Sequence, residues 1–538
     1  MSVDRLYVGG EIYTEDESLP TADAVATRGR EIAAVGSESD CRAALGDDVE
    51  VDDLEGGALL PGFIDTHLHP VMLAYVDMNI DLDRSSSIAE VQQRISSAAA
   101  KAKPGAWLAG LQFNDQALPE KRLLTRKELD EAAGGHPLLV IRYDGHMTLA
   151  NTAAIEASGI DASTPDPAGG SIDREPDGFP SGAFRENAAQ LVMSYLPIPE
   201  PGEFVAGAQE TFARLASFGI TSIGAVVQSG EDGPAGPRGA FEILIMQFLS
   251  DRVPQNLFSM VLTDDEAKLD EALASPLNQP DGAGRGRNVG ALKIIADGSF
   301  GSYTAYMDEP FTDRPESRGT MKMDSGELYR RMVMGHNKGL QLAIHCIGDA
   351  ANREVVELYR RLLEEYPRPH RHRLEHASQL EPSTIEEMSR LGIIVSTQPL
   401  FIHSEKEWLE TRLGDRTKMT YPFRTLLDAG IRLAGASDAP VEPVDVLDAI
   451  QCCVTREGFE ESQCITAAEA VKMYTADAAY AISAEDSCGS ITAGKRADLV
   501  HLSESPLTVP ADKINSITVL KTIVGGETIY RRGADRAS

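Results

Sequence analysis

The sequence predicts an α/β fold: a (β/α)8 barrel of parallel strands, joined to a small β-sandwich built from both ends of the chain. Three observations predict it. Apolar, strand-like runs recur through the middle of the chain, and several end on a residue able to bind a metal. Helical patterns separate those runs, as a parallel sheet with crossover helices requires. Short alternating runs spaced by glycines occupy both termini.

Residues 1–57 hold runs such as Arg5-Leu6-Tyr7-Val8 and Glu31-Ile32-Ala33-Ala34-Val35, which read as β-strands. The next run, Leu59-Leu60-Pro61-Gly62-Phe63-Ile64-Asp65-Thr66, leads into His67-Leu68-His69. On a strand, residues i and i+2 leave the same face, so the two imidazoles offer half of a metal site. By itself the pair has a plainer reading, buried histidines satisfied by hydrogen bonds. From about 71 to 199 the chain exceeds what one βα unit needs and carries Gly- and Pro-rich stretches, for example Pro165-Asp166-Pro167-Ala168-Gly169-Gly170. This reads as an insertion of the lid or specificity type. In Val289–Gly298 the β-rich run encloses Lys293, which is costly to bury unless paired or chemically altered. Leu340–Ile344 runs into His345, His372–Glu375 into His376, and Ile431–Ser437 into Asp438. Ligands at the carboxyl ends of successive strands are what a (β/α)8 barrel supplies. Between them, Val355, Leu358, Tyr359, Leu362 and Leu363 form one apolar helical stripe that reads as core packing. Strand-like runs return in Ala497–Leu502 and Thr518–Gly526. The predicted division is therefore a composite sandwich of residues 1–57 and 485–538, and a barrel of 58–484 with the insertion inside it.

These segments, in this order, resemble the amidohydrolase superfamily of metal-dependent hydrolases, and within it the branch typified by N-substituted formamide deformylases. The matching residues run from Ala24-Val25-Ala26 and Leu60–His69, through Asp144-Gly145-His146 with Asn151, Lys293 with Ala296-Asp297-Gly298-Ser299, and Leu374-Glu375-His376-Ala377. They end at Ser437-Asp438-Ala439-Pro440 and Gly489–Val500. The resemblance implies a divalent metal, zinc by preference, one or two per chain. His67, His69 and Asp438 would hold one ion and His345 with His376 a second. It also implies that Lys293 is carboxylated, its carbamate bridging the two ions. An ordinary Lys293, paired with Asp297 or another carboxylate, would go with a single-metal site. The implied reaction is hydrolysis of a non-peptide carbon–nitrogen bond, in an N-formyl or N-acyl amine or a cyclic amide, by metal-activated hydroxide with Asp438 moving the proton. His146 and Asn151 are expected at the substrate, holding the oxyanion or orienting the amide; the alternative is a helix-capping loop. After Ile223 the family often places an acidic residue, whereas this chain continues Gly224-Ala225-Val226. A catalytically silent binding or scaffold protein on the same fold is the alternative function; loss of a ligand would mark it, and all six ligand positions are filled.

Bulk properties narrow the field. A Gly-x-Ser-x-Gly elbow, a P-loop and a convincing dinucleotide fingerprint are all lacking. The six cysteines show no Cys-x-x-Cys spacing, which fits a reducing compartment. No apolar run approaches a membrane span and no signal peptide is apparent, so a cytoplasmic enzyme is expected. The net charge of −33 is dispersed, and lysine is scarce. Such a surface suits a high-salt cytosol, where self-repulsion is screened. It offers no basic patch for nucleic acid. The expected partner is a small-molecule substrate, bound by a monomer or a homo-oligomer.

Overall fold

The computed structural model describes residues 4–46, 49–83, 85–115, 118–142, 147–167, 170–186, 188–197, 200–230, 233, 236–279 and 286–533. The chain divides into two compact units, residues 1–71 with 212–538, and residues 72–211.

The larger unit contains an eight-stranded parallel sheet. Its strands in chain order are β1 (Phe63–Leu68), β2 (Ile220–Gln228), β3 (Asn256–Leu262), β4 (Arg287–Ile295), β5 (Gln341–Cys346), β6 (Arg373–His376), β7 (Ile394–Thr397) and β8 (Leu433–Gly435). Each pairs with its neighbour in sequence. The ends of the sheet meet: Thr66 Oγ1 donates to Gly435 O at 3.0 Å, and Asp438 N–H to His67 O at 2.7 Å. This is the barrel architecture expected from the strand-end pattern. Its strands read as continuous apolar runs because both faces are buried; every residue of β1, β2 and β3 is buried. Outer helices include Ser325–Asn337, Asp349–Glu365, Pro382–Leu391 and Val446–Thr455. On Asp349–Glu365 the stripe of Val355, Leu358, Tyr359 and Leu362 is buried, as core packing requires.

Two glycines set how closely β1 is approached. A Cβ on Gly62 would lie 2.2 Å from Thr221 Cγ2, and one on Gly224 only 2.0 Å from the Thr66 carbonyl oxygen. Position 224 is where the family often carries an acidic side chain. Here β2 lies so near β1 that no side chain fits.

The same unit holds two further sheets. One has the order Glu31–Gly36, Ala24–Arg28, Arg5–Val8, Glu50–Asp53. The other, Glu527–Arg531, Val519–Val524, Leu499–Leu502, Ala58–Pro61, Glu11–Tyr13, Thr21–Ala22, draws strands from both ends of the chain. Tyr7, Val25, Ile32, Leu59, Leu499 and Ile523 share one apolar cluster. The run Leu59–Leu68 is thus two strands: Ala58–Pro61 pairs with Leu499–Leu502, and the chain enters the barrel after Gly62.

The smaller unit has its own six-stranded mixed sheet, from Ile80–Asp81 to Gly170–Arg174, with helices Ile88–Ala99 and Arg126–Ala133. Leu82, Val91, Ile95, Leu129 and Val140 are buried within it. The segment expected to be loop-rich is therefore a folded body with a core.

Candidate metal centre

The candidate ligands stand at the carboxyl ends of barrel strands. His67 is near the end of β1 and His69 just beyond it; His345 is in β5, His376 closes β6, and Asp438 follows β8. All but His345 are buried. His67, His376 and Asp438 bring one ligand atom each within 4.8 Å of one another. His69 Nε2 lies 3.2 Å and His67 Nε2 3.4 Å from the same Asp438 oxygen, Oδ1. His345 packs edge-on against His376, with ring centroids 4.4 Å apart. The backbone bends sharply here: His376, Ala377 and Asp438 adopt left-handed φ values of 69°, 47° and 58°. Each costs on the order of 1–3 kcal/mol, which surrounding packing must sustain.

Polar partners hold each ring. His67 Nδ1–H donates to Glu375 Oε2 at 2.5 Å, and His376 Nδ1–H to Gln398 Oε1 at 2.7 Å. His345 bonds through Nε2 to Gly298 O at 3.0 Å, leaving Nδ1 as its ligand atom. Glu375 also accepts from Arg373 Nε at 2.5 Å, and Arg373 Nη2 donates to Thr66 O at 3.0 Å. Burial would raise the Glu375 carboxyl, but Arg373 and then His67 hold it well below its ordinary value. Burial, and then the Lys293 charge, keeps His67 below its ordinary value. A neutral His67 that donates from Nδ1 presents its Nε2 lone pair to the Asp438 oxygen. Lone pair and carboxylate repel unless a cation lies between them. Neutral imidazole nitrogens and a carboxylate oxygen are the donor set zinc favours, so the residues present fit a divalent metal.

Lys293 is 2% exposed, and its Nζ has no hydrogen-bond partner among the described residues. Burial brings its pKa down from 10.5 to about 8. The pairing with Asp297 is not formed. Asp297 instead accepts backbone N–H groups of Tyr306 (2.9 Å), Ile347 (3.0 Å) and Gly348 (2.9 Å).

The substrate role expected of Asn151 is corrected. Asn151 is the N-cap of helix Thr152–Ala157: Oδ1 accepts from Ala154 N and Leu138 N, and Nδ2 donates to His136 O, each at 2.9 Å. Its amide is engaged in holding the smaller unit together. His146 lies outside the described residues.

A family model described as the amidohydrolase family matches residues 50–530. The chain belongs to the amidohydrolase family. It is 30% identical to YtcJ of Bacillus subtilis (strain 168), a protein assigned to the amidohydrolases, over 98% of this chain and 99% of that one. It is 29% identical to the N-substituted formamide deformylase of Arthrobacter pascens, over 98% of each. A solved structure of an uncharacterized metal-dependent hydrolase from Pyrococcus furiosus superposes with a TM-score of 0.75 at 26% identity, covering 94% of this chain and all of that one. As an amidohydrolase, the chain is a hydrolase acting on carbon–nitrogen bonds other than peptide bonds. No helix among the described residues is long and apolar enough to cross a membrane.

Sequence reasoning missed Glu375, Arg373 and Gln398, which orient this amidohydrolase's histidines. The one available signal was that a glutamate and an arginine occupy β6, a strand with both faces buried, where charges survive only in pairs.

Proposed function

We propose that this amidohydrolase cleaves the amide bond of an N-formyl or N-acyl amine, or of a cyclic amide, at a centre formed by His67, His69, Lys293, His345, His376 and Asp438. The observation that carries the reading is the convergence of His67 Nε2 and His69 Nε2 on one oxygen of Asp438, with His376 in the same cluster. The 29% identity with a formamide deformylase over nearly the whole chain supports the substrate class. His67, His69 and Asp438 would hold one metal and His345 with His376 a second, with a carboxylated Lys293 completing the set; the closeness of His376 to His67 and Asp438 keeps the two positions adjacent. The unpartnered Lys293 Nζ supports that role: only the deprotonated amine adds carbon dioxide, and burial brings its pKa down to about 8, so that form is far more populated than for an ordinary lysine. When bound, a divalent metal polarises the substrate carbonyl and lowers the pKa of water toward about 7.

The chain's own groups do the rest. Asp438, whose carboxylate lies beside His67 and His69, takes the proton of the attacking water and delivers it to the departing amine nitrogen. Glu375 fixes the tautomer of His67. Arg373 offsets the Glu375 charge, so the carboxylate stays ionised in a buried place. The dispersed acidic surface supports work in a salt-rich cytosol.

Elemental analysis of protein purified without chelator, with hydrolysis of N-formyl, N-acetyl and lactam panels, tests the reading. One or two metals per chain and turnover within the panel are expected. Metal-free protein that neither rebinds zinc nor turns over any member would overturn it.

A further inference from the structure

We propose that Gln398 is the positioning residue that makes His376 a ligand, by fixing the imidazole in its Nδ1–H tautomer. The inference rests on the reading of His376 as a metal ligand and concerns what holds it in that state.

Imidazole can protonate either nitrogen, and only the unprotonated one binds a metal. For His376 the choice is made by one hydrogen bond, from Nδ1–H to Gln398 Oε1 at 2.7 Å. The glutamine is wholly buried just beyond β7, where no water competes for the proton. Its other amide atom, Nε2, has no partner among the described residues. The amide thus turns its oxygen to His376 and leaves Nε2 without a partner among the described residues, so the bond to His376 takes precedence in its orientation. The same segment supplies a second restraint: the Phe401 ring stacks on the His376 ring, centroids 5.8 Å apart and 5° from parallel. Gln398 and Phe401 are three residues apart at the start of helix Leu400–Leu413. One turn of chain after β7 thus sets both the tautomer and the plane of a ring on β6, whose backbone is itself held in the left-handed region.

The contrast with His67 gives the choice of glutamine a chemical meaning. His67 donates to a carboxylate, Glu375, whereas His376 donates to a neutral amide. A carboxylate draws the proton off Nδ1 and makes the opposite nitrogen the stronger donor; an amide fixes the tautomer with much less of that effect. Glutamine therefore orients His376 while leaving a bound metal more electrophilic than a second glutamate would.

Zinc affinity, read by competition with a chromogenic chelator, tests this without any substrate. Gln398→Met keeps the length and removes the acceptor, and its expected effect is zinc binding weakened about 10–100-fold with circular dichroism unchanged. Gln398→Glu keeps an acceptor, and its expected affinity equals or exceeds that of the wild type. His376→Ala is the control for the underlying reading, with a loss at least as large as that of Gln398→Met. Wild-type affinity in Gln398→Met, beside a weakened His376→Ala, would reduce Gln398 to a packing role. A loss of tenfold or more in Gln398→Glu would do the same, even if the Met variant failed to fold. Undiminished zinc binding in His376→Ala would remove the proposal together with its premise.

Discussion

Asp438 concentrates the chemistry of this site in one side chain. Two histidine nitrogens lie 3.2 and 3.4 Å from its Oδ1, and His376 brings a nitrogen into the same buried cluster. Its backbone stands in the left-handed region, so the turn after β8 is shaped to present this carboxylate. Asp438→Asn keeps the size and removes both the charge and the proton acceptor. At saturating zinc, kcat is expected to fall roughly 10²–10⁴-fold, the range general acid–base groups contribute. Turnover within threefold of wild type would take proton transfer away from Asp438. At this scale the candidate ligands were legible because histidine, lysine and aspartate at or near strand ends are rare residue types in a telling place. Their supports were not. Nothing in the sequence separates Gln398, which grips His376, from any other buried glutamine. Asn151 stayed open between two roles because a loop asparagine looks alike whether it caps a helix or meets a substrate.

The elements around the site are set by how closely they can approach. The parallel strands announced themselves as continuous apolar runs, while the short β8, Leu433–Gly435, is legible only because Asp438 follows it. The smaller unit was legible as an insertion but not as a folded body, because its turns are rich in glycine and proline and its strands form a mixed sheet with no ligands to mark their ends. A second histidine group lies at the other ends of β5 and β6. Leu342 N–H donates to His372 Nδ1 at 3.0 Å, so His372 Nε2–H donates to His336 Nδ1 at 2.8 Å, and His336 Nε2–H to Tyr366 O at 2.8 Å. Every nitrogen is committed in the neutral form, and neither ring can take a proton without breaking a bond. Burial, with the charges of His370 and Arg368, holds His372 well below its ordinary value, and burial lowers His336 as well. A histidine depressed in the folded state contributes stability that is present above its unfolded pKa, about 6.5, and lost as pH falls below it. Unfolding free energy is therefore expected to drop between pH 7 and pH 5. The combined change His336→Gln with His372→Asn, read against wild type by chemical denaturation, should reduce that drop by up to about 1.4 kcal/mol per pH unit for each ring replaced, below the unfolded pKa. An unchanged slope would show that these rings do not couple folding to pH.

For the whole molecule the governing quantity is charge. The chain carries 83 acidic and 50 basic residues, and its lysines number 14 against 36 arginines. Many arginines are committed locally: Arg353 bridges Asp308 and Glu381, and Arg330 and Arg331 share Glu327. Such exposed pairs contribute little each, typically about 0–1 kcal/mol, and do nothing for the surplus carboxylates. Folding gathers that surplus onto a compact surface, so mutual repulsion opposes the native state more than the expanded one. Salt removes the penalty, because the Debye length falls from about 10 Å at 0.1 M to about 3 Å at 1 M. The melting temperature is therefore expected to climb steadily from 0.1 to 2 M potassium chloride, a salt chosen because its ions act mainly by screening. Replacing a handful of exposed acidic residues outside ion pairs, such as Glu17, Glu386 and Glu504, with lysine should raise the low-salt melting temperature and flatten the climb. If wild type melts at the same temperature across that range, the acidic surface is not an adaptation to salt, and its explanation must lie in a basic partner.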